Sequence, residues 1–212
     1  AVIPVSIADE NALQSYNWAD LEWHDRLVKF TRKDANKRSR FFAVEGQLSL
    51  WFIKLEGGSV DGNGGAILAL GSTGTVTMTG CVLTNNYASG DGGAVWLMSA
   101  FVSMDQQDFS HSNWYTSISN NRAGGKGGGV YVGSTMFAVV NNGIAANNTA
   151  SLEGGFMYCE YGNTRCETYS SNIVNNGAAD GGGIACRSGS HCNFMQASYI
   201  QKNYLLTHHT KA

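Results

Sequence analysis

Asn121-Arg122-Ala123-Gly124-Gly125-Lys126-Gly127-Gly128-Gly129-Val130-Tyr131 is the stretch whose reading decides the fold. It joins an Asn to a Gly pair followed by an apolar residue, and both markers recur. The pair appears as Gly64-Gly65-Ala66-Ile67, Gly92-Gly93-Ala94-Val95, Gly154-Gly155-Phe156-Met157 and Gly181-Gly182-Gly183-Ile184, with successive starts, Gly127 included, 28, 35, 27 and 27 residues apart. Asn86, Asn121, Asn148, Asn176 and Asn203 keep step at intervals of 35, 27, 28 and 27. Two columns in register predict a solenoid in which each repeat makes one coil. Gly serves where the backbone turns and where coils approach closely, and equivalent Asn side chains can form an amide ladder along the stack. Between the markers lie short period-two runs such as Ile67-Leu68-Ala69-Leu70, Thr75-Val76-Thr77-Met78-Thr79 and Phe137-Ala138-Val139-Val140. About six coils at roughly 4.8 Å each predict a rod about 30 Å long.

Composition agrees. The 212 residues include 27 Gly, 19 Asn and one Pro, with 43% hydrophobic and 14% charged residues, which excludes collagen, proline-rich linkers and disorder. A net charge of −2 gives no general basic field, so no nucleic-acid partner is expected. No apolar run is long enough for a membrane-spanning helix, so the chain is not expected to span a membrane. The start at Ala1 reads as a processed chain or a fragment.

Residues 1–45 are different: they contain no Gly and seven of the 14 basic residues. Leu13, Tyr16, Trp23, Leu27 and Phe30 recur at helical spacing, predicting an amphipathic helix over roughly 11–32 that caps one end. The organisation expected is a helical, basic cap segment (1–45), a β-helix (46–204) and a tail (205–212). The basic run from Arg26 to Arg40 reads as a solvated helix end before it reads as an anionic docking patch.

The GGA(I/V) motif with its Asn-containing segment resembles the repeats of chlamydial polymorphic outer-membrane proteins, within the pectate-lyase-like class. The resemblance covers about 46–204 and implies an all-β, right-handed parallel β-helix serving as an adhesin, passenger or scaffold more often than as an enzyme. Two departures stand out: there is no C-terminal membrane barrel, and the third repeat carries seven or eight extra residues within Met98 to Tyr115.

Polysaccharide lyases and hydrolases of this class use clustered carboxylates with a cationic residue. The residue before each Gly pair gives Asn63, then a turn charge column of Asp91, Lys126, Glu153 and Asp180. Opposite charges in adjacent coils favour the stack, and that structural reading is preferred to a catalytic one. No catalytic residue, metal site or cofactor is assigned. The string around Lys126 lacks the Ser or Thr of a phosphate loop and reads as a turn. Alternating Thr73, Thr75, Thr77 and Thr79 suggest ice binding, but Phe137 and Val139 or Cys166 and Thr168 interrupt the array.

If Ile67, Val95, Val130, Met157 and Ile184 point inward, their successors point outward. Trp96, Tyr131 and Tyr158 then form an exposed aromatic column able to stack on sugar rings or on a partner's apolar surface, or simply to stabilise the solenoid. Cys159 and Cys166 lie in one coil, Cys186 and Cys192 at matching places in the next. Pairing within coils or between them is open; Gly162 and Gly189 favour the former. Either implies an extracytosolic location, secreted, at the cell surface or in an oxidising lumen. Cys81 is left over as a buried thiol, and Asn147-Asn148-Thr149 fits a glycosylation sequon within the Asn column.

The function expected is non-enzymatic: a scaffold or adhesin-like subunit presenting a surface to a protein or glycan. Solenoid ends need caps, and the short tail after Asn203 predicts a protein partner or larger assembly at the C-terminal edge. A polysaccharide lyase or hydrolase and an ice-binding protein are the alternatives.

Overall fold

A computed structural model of the chain describes residues 28–31, 39–71, 75–98, 101–104, 115–133, 138–141, 143–162, 164–195 and 198–206. Each repeat winds into one coil of four short strands, and every strand pairs in parallel with its equivalent in the next coil. The first face stacks Phe42–Val44, Ile67–Leu70, Val95–Met98, Val130–Gly133, Met157–Glu160 and Ile184–Cys186. The second runs from Gln47–Trp51 to His191–Met195, the third from Ile53–Glu56 to Tyr199–Gln201 and the fourth from Ser59–Val60 to Tyr204–Leu205. Among the described residues, six strands on three faces and seven on the third make between five and six turns of the solenoid, close to the roughly six that the repeat predicts.

The two sequence markers occupy two corners. Between the third and fourth faces, Nδ2 of each ladder Asn donates to Oδ1 of the next: Asn86 to Asn121, Asn121 to Asn148 and Asn148 to Asn176 at 3.0 Å, Asn176 to Asn203 at 2.9 Å. Nδ2 also donates to a backbone carbonyl of the previous coil, as Asn121 does to Leu83, and Oδ1 also accepts the preceding ladder Asn's backbone N–H. A buried amide is thereby fully engaged, which makes it tolerable in an apolar interior. Just before each ladder residue, Asn85, Asn120, Asn147, Asn175 and Lys202 take φ between 54° and 57°, turning the chain in the left-handed region that Asn tolerates.

Between the fourth and first faces lies the Gly corner, where the two glycines of a pair do different work. Gly127 has φ +64°, whereas at Gly128 an added Cβ would collide with the carbonyl oxygen of Gly155 in the next coil. One position needs a backbone conformation, the other the absence of a side chain.

Period two puts Ile67, Val95, Val130 and Met157 into the central core as expected, with Ile184 partly buried at its end. The third face contributes Leu55, Leu83, Ile118, Ala145 and Ile173 at paired positions, all buried in that core. Burying each large apolar side chain contributes about 1.5–3 kcal/mol before chain entropy is set against it.

The N-terminal boundary is revised. Phe42–Val44, assigned to the cap segment, already pairs with Ile67–Leu70, so the solenoid begins before residue 46. Val28–Thr31, assigned to the helix, is a strand in register with Ile53–Glu56. Val-Lys-Phe-Thr alternates as well as it fits a helix, and an open sheet edge supplies backbone partners that an isolated helix turn lacks. Residues 1–27 and 32–38 of the expected cap, residues 99–100 and 105–114 of the Met98 to Tyr115 stretch expected to hold the third repeat's extra residues, and the tail at 207–212 lie outside the described residues.

Candidate functional site

Trp96, Tyr131 and Tyr158 occupy paired positions on the first face, flanked by Leu68 and Ala185. The column is as expected, but its exposure is not: the three residues are only 9, 5 and 1% exposed. Period two correctly turns them away from the central core, yet they form a second apolar cluster with Leu68, Met98 and Ala185. Ring centroids stand 5.7 and 5.5 Å apart at interplanar angles of 12° and 22°, so each ring covers its neighbour. The column is therefore a packed outer layer rather than a free platform.

Its two tyrosine hydroxyls converge on Glu160, while the buried Trp96 Nε1 has no hydrogen-bond partner among the described residues. The Tyr131 hydroxyl donates to Glu160 Oε2 at 2.7 Å and the Tyr158 hydroxyl to Oε1 at 3.2 Å. Lys126 Nζ donates to the Tyr158 oxygen at 2.7 Å, lies 3.6 Å from Glu160 and sits 4.3 Å from the Tyr158 ring centroid. Burial and then the Glu160 carboxylate push the Tyr131 hydroxyl well above the ordinary tyrosine range. Tyr158 is raised too, by burial and the Glu160 charge against the opposing pull of Lys126. Burial works against the Lys126 charge, but its bond to Tyr158 and the nearby Glu160 and Glu153 charges outweigh it, and its pKa is raised. The carboxylate that faces these groups is spent on bonds within the layer.

The turn charge column is in backbone register: N–H groups of Gly64, Gly92, Gly127 and Gly154 donate to the carbonyls of Asp91, Lys126, Glu153 and Asp180. Its side chains do not pair along the column as expected. Lys126 reaches outward to Tyr158 and Glu160, and Asp91 Oδ1 accepts the Lys126 backbone N–H at 2.7 Å. The like charges Glu153 and Asp180 are neighbours, held by Arg187: its Nε donates to Glu153 Oε2 at 2.6 Å and its Nη2 to Asp180. The sequence columns did not mark Arg187, which lies outside both the Gly and the Asn markers, 34 residues from Glu153 and seven from Asp180. This is the arrangement an enzyme of the class would need, two carboxylates beside a cation, but both carboxylates are acceptors of one guanidinium in an exposed turn.

Disulfides join Cys159 to Cys166 and Cys186 to Cys192, with Cα atoms 6.6 and 6.3 Å apart, the within-coil pairing that the intervening glycines favour. Gly189 takes φ +77° in the second turn; in the first, Tyr161 at φ +78° does this instead of Gly162. Across coils Cys159 faces Cys186 and Cys166 faces Cys192, stacking the two bridges. Cys81 is buried in the core, its thiol pushed up to about 11 by burial. Against an ice-binding face, the residues paired through Thr77 read Ser49, Thr77, Ser103, Val139, Glu167 and Asn193.

The C-terminal coil carries a cluster of exposed apolar side chains. Phe194, Tyr199, Ile200, Tyr204 and Leu205 are all exposed, and their strands pair on one side only among the described residues. Beside it, Arg122, Thr149, Ser151 and Leu206 help line a shallow cleft of about 240 Å³.

These observations define a parallel β-helix repeat protein held by an Asn ladder, paired glycines and two disulfides. Residues 115–133, which run through one Asn corner and one Gly corner, match the Chlamydia polymorphic membrane protein repeat. No curated protein and no solved structure matches the chain. Among the described residues no helix is long and apolar enough to cross a membrane.

Proposed function

We propose that the chain is a non-enzymatic surface β-helix protein, a scaffold or adhesin-like subunit whose C-terminal edge receives a protein partner outside the cytosol. The observation carrying this reading is the last coil: Ile200 continues the column of Leu55, Leu83, Ile118, Ala145 and Ile173, all buried, yet is itself exposed. An inward-facing position with no following coil among the described residues leaves apolar surface and open strand edges, the combination used in β-strand addition. The repeat match and the disulfides support an extracytosolic, surface location. A glycan ligand is the lesser arm, since the aromatic column offered for it is packed. Photo-cross-linking from position 204, alongside a glycan array, tests the reading. Capture of a protein through the edge, lost in Ile200→Asp, supports it; glycan binding without protein capture overturns it.

A second reading, a polysaccharide lyase or hydrolase, draws on Arg187 between Glu153 and Asp180. It requires cleavage of acidic glycans that disappears in Arg187→Ala.

A further inference from the structure

The Asn corner presents the same side chain to solvent in successive coils. Asn85, Asn120, Asn147 and Asn175 share one backbone conformation, and all four are exposed. The ladder uses the following residue, so in Asn147-Asn148-Thr149 it is Asn148, fully buried, whose amide is bonded to Asn176 and Ile118. The acceptor position of the sequon is Asn147, which the ladder leaves alone. Asn85 Nδ2 donates to Glu56 at 3.2 Å and Asn120 Nδ2 to Thr84 at 3.4 Å, whereas the Asn147 carboxamide makes no hydrogen bond among the described residues. The other three corners carry Tyr87, Arg122 and Gly177 two residues on; only Asn147 is followed there by the Ser or Thr of a sequon, Thr149.

We propose that Asn147 is an N-glycosylation site, the acceptor of an oligosaccharide delivered on a polyprenyl pyrophosphate carrier. An N-x-Ser/Thr acceptor belongs on the surface of a protein that enters a secretory lumen. The site thus rests on the extracytosolic reading, which the two disulfides support independently. In the transfer, Asn147 Nδ2 forms a bond to the anomeric carbon of the first sugar. The bond from that carbon to the pyrophosphate oxygen breaks, the polyprenyl pyrophosphate leaves, and one amide proton passes to base; nothing is oxidised or reduced. The glycan would stand at the corner beside the Arg122 cleft, blocking lateral packing of the rod and leaving its end as the route of association.

The test is secretion of the chain from eukaryotic cells, with peptide mass spectrometry before and after an amidase that cleaves glycosyl-asparagine in heavy-oxygen water. The expected result is a glycan on Asn147, heavy Asp at 147 after the amidase, complete loss in Asn147→Gln and Thr149→Val, and retention in Thr149→Ser. Arg122→Thr, an exposed position in an equivalent coil, is expected to add a second glycan at Asn120. Unmodified Asn147 in secreted protein whose Cys159–Cys166 and Cys186–Cys192 bridges have formed overturns the proposal alone. Absence of both the glycan and the bridges overturns the extracytosolic reading with it.

Discussion

The two ends of the solenoid are built from the same positions and finish differently. In the first coil Leu55 and Val60 are 0 and 8% exposed; in the last, their counterparts Ile200 and Leu205 are 45 and 62% exposed. One strand beyond the first coil, Val28–Thr31, already lies on the Ile53–Glu56 edge, and nothing described lies on Tyr199–Gln201. A repeat fixes what a coil needs on both sides; it does not supply the neighbour at the end. Under the proposed function, that open end is where a partner would recover the burial missing there.

The largest expected contrast is between paired apolar truncations. Leu55→Ala removes a fully buried side chain and is expected to cost about 2–5 kcal/mol, against less than about 1 kcal/mol for Ile200→Ala, both read by chemical denaturation. Equal costs would mean that the last coil is closed in solution.

Next comes alkali. Cys81, bonded through its thiol to the Leu50 and Thr79 carbonyls, is raised from 9.0 to about 11. Its folded pKa is above the unfolded one, so the stabilisation is complete below pH 9 and is lost as pH rises towards 11. Two units correspond to about 3 kcal/mol. Cys81→Ala is expected to flatten the denaturation midpoint over that window, and an unchanged slope would remove Cys81 as its source.

The ladder sharpens the comparison within one residue type. Asn121→Ala strands the buried donors of Asn86 and the Leu83 carbonyl, and is expected to cost about 2–3 kcal/mol; Asn203→Ala, at the open end, about 1 kcal/mol. Reducing the two bridges, whose loops are short, is expected to cost about 2 kcal/mol each and to loosen only the last two coils, as hydrogen exchange would show.

How far the sequence reached depends on the range of the interaction. The approximate coil number and the Gly and Asn corners follow from local chemistry repeated at fixed spacing and were legible, whereas the disulfide pairing stayed open between bridges within coils and bridges between them, with the intervening glycines only favouring the former. Burial of Trp96, Tyr131 and Tyr158 was not, because period two says which way a ring points and not that stacked rings and Glu160 close over one another. The Arg187 bridge joins positions that no repeat relates, and Val28–Thr31 satisfies helix and strand patterns equally until a free edge decides. The left-handed Asn corner had a signal that the ladder column alone did not use, the Asn-Asn pairs at 85–86, 120–121, 147–148 and 175–176.

Hydrogen exchange of the isolated chain, resolved by coil and repeated with captured partner, tests the open end most directly. The account predicts slow exchange through the middle coils, fast exchange over 199–206, and protection of that segment when the partner binds. A monodisperse monomer whose last coil exchanges as slowly as the middle ones would contradict it.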